Sequence, residues 1–171
     1  MDLTIKYKKE PDAKAPSYAF EGDAGLDIYS NEEKILEPMH RTAVKTGLYF
    51  EVPKGYAGLV WDKSGLALNH GLRTMAGVLD CNYRGELKVV LVNLSSKLVR
   101  IEKGMKVAQL LVQKIENAFL KEVRQLTETE RGEKGFGSSG LKEKNEQKKI
   151  FDLHSNSGYV IFFPCAFLRY R

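Results

Sequence analysis

Short runs of β-branched and aromatic residues, each closed by a glycine-containing turn, fill the first 140 residues of this 171-residue chain. Fourteen of its fifteen glycines fall in that stretch, where they punctuate the runs as turn signals. The spacing predicts strands over Leu3–Tyr7, Val44–Val52, Gly58–Trp61, Glu86–Leu94 and Lys106–Ile115, bounded by turns such as Pro53-Lys54-Gly55 and Glu102-Lys103-Gly104. In the fourth run Leu87, Val89 and Leu91 alternate with Lys88, the period-2 pattern of a half-buried strand. Only Ser64–His70 reads as helix, with Ser64 as its N-cap and Gly71 closing it. Many short strands and one short helix predict an all-β fold, a barrel with jelly-roll character and no internal repeat.

The chain changes character near its end, which divides it into a body at 1–126, a glycine-rich arm at 127–140 and an extension at 141–171. The arm carries Gly132, Gly135, Gly137 and Gly140 among polar residues and reads as mobile. The extension holds six aromatics in 31 residues against eleven in the preceding 140. It also holds six basic and three acidic residues, so +3 of the net charge of +5 belongs there and the body is nearly neutral. That distribution argues against a nucleic-acid surface on the body. The longest near-apolar run, Tyr159–Leu168, is interrupted by Pro164 and is too short for a membrane helix. Met1-Asp2-Leu3-Thr4 does not open a secretory leader. Two cysteines, Cys81 and Cys165, make no disulfide framework and point to a reducing cytoplasm. His40, His70 and His154 stand alone, without zinc spacing.

Five stretches can carry chemistry, and each has a plainer reading. Ala24–Ser30 is either a strand entry or a place where Asp27 faces a metal-bound triphosphate. Asp62–Ala67 is either an ordinary capped helix or an anion site, where Lys63 brings charge, Ser64 a hydroxyl and Gly65 close backbone approach. Ala76–Gly85 reads as two strands joined at a tight turn. Asp80 and Tyr83 then either decorate the turn or serve a cleft: the backbone reads a planar base edge, the phenol packs on a sugar, and the carboxylate reaches a water. Gly104–Val112 is a core strand with Val107, Leu110 and Val112 packing and Gln109 either at an edge or turned to a ligand. Arg131–Gly140 is a linker, or a closing arm in which Arg131 grips phosphate and Phe136 offers a stacking face.

In this order and spacing, Ala24–Ser30, Lys63–Ala67, Gly77–Gly85, Gly104–Val112 and Arg131–Gly140 resemble the five motifs of the trimeric dUTP pyrophosphatases (dUTPases). The resemblance spans residues 1–140. It implies a homotrimer with sites shared between subunits. It also implies Mg²⁺-assisted hydrolysis of dUTP to dUMP and pyrophosphate, which keeps uracil out of DNA and supplies dUMP. Asp80 is then implied to activate the water that attacks the α-phosphorus, and Tyr83 to sit under the deoxyribose. The backbone around Gly77 is implied to read uracil, and Lys63, Ser64, Gly65 and Gln109 to hold phosphates. Arg131, Gly137, Ser138 and Ser139 complete the grip from the arm, Phe136 stacks on uracil, and Asp27 supports the metal in its outer sphere. The chain departs from the family pattern at Asp62-Lys63, where Pro-Arg is usual, at Asn82, where a second aspartate is frequent, and at Lys134, where glycine is frequent. Two other readings remain: a dCTP deaminase-like or bifunctional enzyme, and a regulatory binding protein that uses the same fold.

Overall fold

The computed structural model describes residues 3–135. Its elements are β1 (Lys6–Lys9), β2 (Leu26–Tyr29), β3 (Lys34–Leu36), β4 (Arg41–Glu51), β5 (Tyr56–Trp61), α1 (Ser64–His70), β6 (Leu72–Met75), β7 (Val78–Leu79), β8 (Glu86–Asn93), β9 (Val99–Ile101) and β10 (Lys106–Lys114). They form two four-stranded sheets, β1-β4-β8-β6 and β2-β10-β5-β7, and a two-stranded sheet β3-β9. Every pairing is antiparallel. The all-β reading with one short helix therefore holds, and the helix spans the predicted residues. Residues up to Leu120 form one compact unit and those from Lys121 onward another. In the second unit, the described residues make turns, with the Gly132 and Lys134 amides donating to the carbonyls of Thr129 and Arg131. No helix among the described residues is long and apolar enough to cross a membrane.

The core lies between the sheets. Val44, Leu48, Phe50, Leu87, Val89 and Leu91 enter it from the first sheet, Ile28, Val60, Leu79, Val107 and Leu110 from the second, and Leu36, Val99 and Ile101 from the third. The alternation read over Leu87–Leu91 is the inward face of β8. Val112, expected to pack with Val107 and Leu110, is only half-buried, because β10 emerges from the core at its end.

Three sequence expectations need correction. Ser64 is not the N-cap: Lys63 holds the extended cap conformation without a side-chain cap bond, and Ser64 is already helical. Gly71 does close the helix, in the left-handed conformation that glycine adopts most easily. Ala76–Gly85 does not lead into a hairpin. Val78–Leu79 pairs with β5, whereas β8 pairs with β4 and β6. The stretch is thus a corner between two sheets, since buried Leu79 and buried Leu87 serve opposite walls of the core. Finally, the first strand is Lys6–Lys9 rather than Leu3–Tyr7; it is an exposed edge strand held through β4 rather than by its own apolar residues.

Two polar devices close the barrel. In β4 the register slips between Lys45 and Tyr49, with Gly47 at φ 65°. A Cβ there would lie 2.8 Å from both the Ala13 side chain and the Asn31 amide. Thr46 Oγ1 donates to the Leu87 carbonyl at 2.5 Å, and Glu86 Oε1 accepts the Gly47 amide at 3.0 Å, so side chains satisfy what the ladder leaves open. Asn93, fully buried, donates to the carbonyls of Leu36 (3.1 Å) and Lys97 (2.8 Å) while its oxygen accepts from the Ser95 amide and hydroxyl. It stitches β3 to the end of β8. Asn93→Ala should destabilise the chain by more than about 2 kcal/mol, since each buried group left unsatisfied costs about 1–3 kcal/mol. Urea unfolding measures this; a smaller loss would show that water replaces the amide.

Candidate active site

The corner between β7 and β8 makes a cleft of about 220 Å³ lined by Val60, Gly77, Asp80, Tyr83, Glu86 and Lys88, among others. Leu79 points into the core, so Asp80 next along the chain points out, and its carboxylate makes no hydrogen bond or ion pair among the described residues. The Tyr83 amide closes the turn on the Asp80 carbonyl at 3.1 Å. The Arg84 guanidinium fastens that turn from outside by donating to the carbonyls of Cys81 and Tyr83, both at 2.8 Å. The Tyr83 ring lies across Gly85, whose missing Cβ leaves it room, and its hydroxyl donates to the Glu86 carbonyl at 3.1 Å.

On the other wall, Ala76 sits at φ 52°, a backbone region that L-residues seldom occupy. Gly77 follows it, and a Cβ there would stand 2.8 Å from the Val60 carbonyl oxygen. The Val60 amide donates to the Gly77 carbonyl at 2.7 Å, so that carbonyl is committed to β5.

A second cluster forms where β2, β10 and the end of β5 meet. Asp27 stands opposite Gln109, and Gln109 opposite Trp61, across three neighbouring strands. The Asp27 side chain is buried, yet two ammonium groups reach it: Lys63 Nζ at 2.5 Å from Oδ1 and Lys106 Nζ at 2.6 Å from Oδ2. Burial alone would push this carboxyl up, but hydrogen bonds from Lys106 and Lys63, and their charges, outweigh it and hold the group below its ordinary 3.8. The hydrogen bond and charge of Asp27 likewise lift Lys106 above its ordinary 10.5. The Gln109 amide nitrogen donates to the Asp62 carbonyl at 2.9 Å, and its other end lies over Gly25, where a Cβ would meet Gln109 Oε1 at 2.5 Å. The Asp62 carboxylate turns away, accepting from the Thr74 amide (2.5 Å) and hydroxyl (2.7 Å) beside Arg73. Ser64 and Gly65 follow on the exposed start of α1, with open space where a Gly65 side chain would be.

The structure thus brings Asp80, Tyr83 and Gly77 together, and separately Asp27, Lys63 and Gln109 with Ser64 and Gly65 adjoining. The lining of the cleft that holds Asp80 and Tyr83 does not include Asp27, Lys63 or Gln109; β5 joins the two groups, with Val60 in the cleft and Trp61 beside Gln109. Arg131 is exposed and donates from Nε to the Lys134 carbonyl in its own turn at 3.0 Å. Phe136, Gly137, Ser138 and Ser139 lie outside the described residues, as does the extension 141–171. Among the described residues no group of three or more His, Cys, Asp or Glu side chains could cage a metal. Asp27 is already held by two cations. Sequence reasoning missed Lys106 and the role of Asp62. The adjacent buried pair Val107-Ala108, which breaks the alternation of β10, was the available signal for the first.

A family model described as dUTPase matches residues 11–140. A deoxyuridine 5'-triphosphate nucleotidohydrolase from Clostridium kluyveri is 46% identical over 142 residues, covering 82% of this chain and 99% of that relative. Its namesake from Zymomonas mobilis is 42% identical over 146 residues, covering 82% and 100%. Among solved structures, the dUTPase of Staphylococcus bacteriophage 80alpha with dUPNHPP superposes with a TM-score of 0.75 at 32% identity, covering 81% of this chain and 99% of that one. A mutant dUTPase from phage phi11 of S. aureus, described with a coordinated structural Mg(II) ion, gives 0.67 at 26% identity, covering 71% and 97%. This chain belongs to the dUTPase family.

The Asp27 contacts set a pH dependence. A carboxyl held below its ordinary value contributes stability that is fully present above pH 3.8 and is lost as pH falls through the lower folded value. Asp27→Asn should therefore lower stability at neutral pH and flatten the acid limb of the unfolding free energy below about pH 4. Urea unfolding of both proteins from pH 7 down to about pH 3 measures it; parallel acid limbs would refute the assignment.

Proposed function

We propose that the chain hydrolyses dUTP to dUMP and pyrophosphate. The observation that carries this is the Asp80 carboxylate, unpartnered at the mouth of a cleft whose floor is Gly77 and whose wall is the Tyr83 ring. The base lies in the cleft against the corner backbone, and the sugar packs on Tyr83, leaving no space for a 2′-hydroxyl. Asp80 accepts a proton from a water as its oxygen bonds to the α-phosphorus. The bond from that phosphorus to the bridging oxygen breaks, and pyrophosphate leaves with the electron pair. Lys63, Ser64, Gly65 and Gln109 hold the phosphates. Arg131, Gly137, Ser138 and Ser139 close from the arm, and Phe136 stacks on the base. A Mg²⁺ ion bound with the triphosphate would offset its charge, the main requirement of phosphoryl transfer, and Asp27 would face it only in the outer sphere.

Two observations support a homotrimer with shared sites. The cleft lined by Asp80 and Tyr83 does not include Asp27, Lys63 or Gln109 in its lining. Phe119 and Leu120, beyond β10, are 102% and 97% exposed, an apolar pair that a subunit contact would cover. The deaminase reading finds no free glutamate at the cleft, because Glu86 is committed to the Gly47 amide. The family match ends at Gly140, and we assign residues 141–171 no part in the reaction. Cys81, half-buried and free among the described residues, suits the cytoplasm we assign to this enzyme.

Pyrophosphate release from dUTP, compared across the four common dNTPs and UTP, tests the reading; equal rates on all would overturn it. Asp80→Asn should fold normally and lower turnover by ~10²–10⁴, the usual contribution of a positioned general base. Near-normal turnover would remove Asp80 from that role. Tyr83→Ala should instead raise kcat/KM for UTP relative to dUTP; an unchanged ratio would show that the sugar is read elsewhere.

A further inference from the structure

The chain changes sheets at one residue. Thr74 and Met75 pair with Leu91 and Val90 of β8 in the first sheet, whereas the Gly77 carbonyl accepts the Val60 amide of β5 in the second at 2.7 Å. Ala76 lies between them at φ 52°, a conformation that an L-residue keeps only where its surroundings hold it. The residues that follow the switch, Gly77 to Asp80, line the cleft. The position of that wall therefore depends on what fixes the two ends of the switch.

The bond between Val60 and Gly77 ties one end. Asp62, two residues further along from Val60, ties the other. Strand β6 is the outer strand of its sheet, so its far side has no ladder partner. There the Asp62 carboxylate supplies the acceptor. Its Oδ1 takes both the Thr74 amide (2.5 Å) and the Thr74 hydroxyl (2.7 Å), and its Oδ2 lies 3.5 Å from Arg73 Nε. The side chain is only 27% exposed, so these charge-assisted bonds are partly shielded from water. Asp62 is itself anchored through its main chain, because its carbonyl accepts the Gln109 side-chain amide at 2.9 Å. The end of β5 thus grips the chain on both sides of Ala76. Proline, usual at this point of the family pattern, has no side-chain acceptor with which to do so.

We infer that Asp62 is a positioning residue for base binding: by holding Thr74 it fixes the switch at Ala76 and sets the Gly77 backbone where a planar base meets it. This deepens the dUTP reading and rests on it, since the base is the part of the substrate assigned to this wall.

Calorimetric titration of the full chain with dUMP and, separately, with inorganic tripolyphosphate tests it, together with amide hydrogen exchange over residues 72–79 without nucleotide. Asp62→Ala should weaken dUMP binding about tenfold, the scale of one charge-assisted bond lost from preorganisation, and leave tripolyphosphate within about twofold. Asp62→Asn keeps an acceptor oxygen for Thr74 and should restore dUMP binding to within about threefold. Exchange over 72–79 should speed up about tenfold in Asp62→Ala while β4 is unchanged. Should Asp62→Ala not fold, Thr74→Val, which removes only the hydroxyl donor, should show the same selectivity with a loss of about threefold. Undiminished dUMP binding in the variants, equal loss of dUMP and tripolyphosphate, or unchanged exchange would each overturn the proposal. An unaltered chain that binds no dUMP would overturn the proposed reaction instead; the exchange measurement, made without nucleotide, keeps that failure apart from a failure of the Asp62 contact.

Discussion

Strand β10 is the seam on which core and site both depend. It is hydrogen-bonded on one edge to β2 and on the other to β5, and its inward residues Val107, Ala108 and Leu110 are almost completely buried. The same strand therefore anchors the second sheet and places Gln109 between Asp27 and Trp61. A backbone ladder tolerates one side-chain alternation at a time, so the bulge at Val107 is the means by which this strand serves the core and the charged face together. Any shift in its register would move the core residues and the site residues at once.

The charged face follows from the cost of a buried carboxylate. An isolated ionised aspartate inside a protein is unfavourable by several kcal/mol. Asp27 is tolerated because two lysines and strand pairing surround it, and they keep it ionised. It thereby becomes a fixed negative point around which mobile lysine chains are ordered. The arrangement resembles the logic of a preorganised phosphate site, where charge is set in place before the ligand arrives. One residue back along β5, preorganisation is steric: Ala76 lies in the left-handed region, Gly77 against the Val60 carbonyl, and Tyr83 across Gly85.

Family membership and this geometry agree on the fold. The corner between sheets presents a carboxylate and a ring, and the β2-β10-β5 face presents two ammonium groups and the Gln109 amide.

Much of this was legible in the sequence. Glycine-punctuated β runs excluded a helical fold, the Leu87–Leu91 alternation marked a core strand, and Gly71 marked the end of α1. The ordered motifs singled out Asp80 and Tyr83, which the fold brings to one cleft, and Lys63 and Gln109, which it brings to the β2-β10-β5 face. Other features were decided only by tertiary structure. Val78–Leu79 reads locally as half of a hairpin, and two residues carry too little pairing energy to choose a partner; the core chose β5 for them. Ser64 reads as a cap, yet the cap position falls to Lys63, whose side chain reaches Asp27, 36 residues away, instead of capping the helix. The adjacent apolar pair Val107-Ala108 hints at a break in β10, but that the break brings Lys106 to Asp27 is decided by the pairing with β2, which the pattern of one strand does not contain.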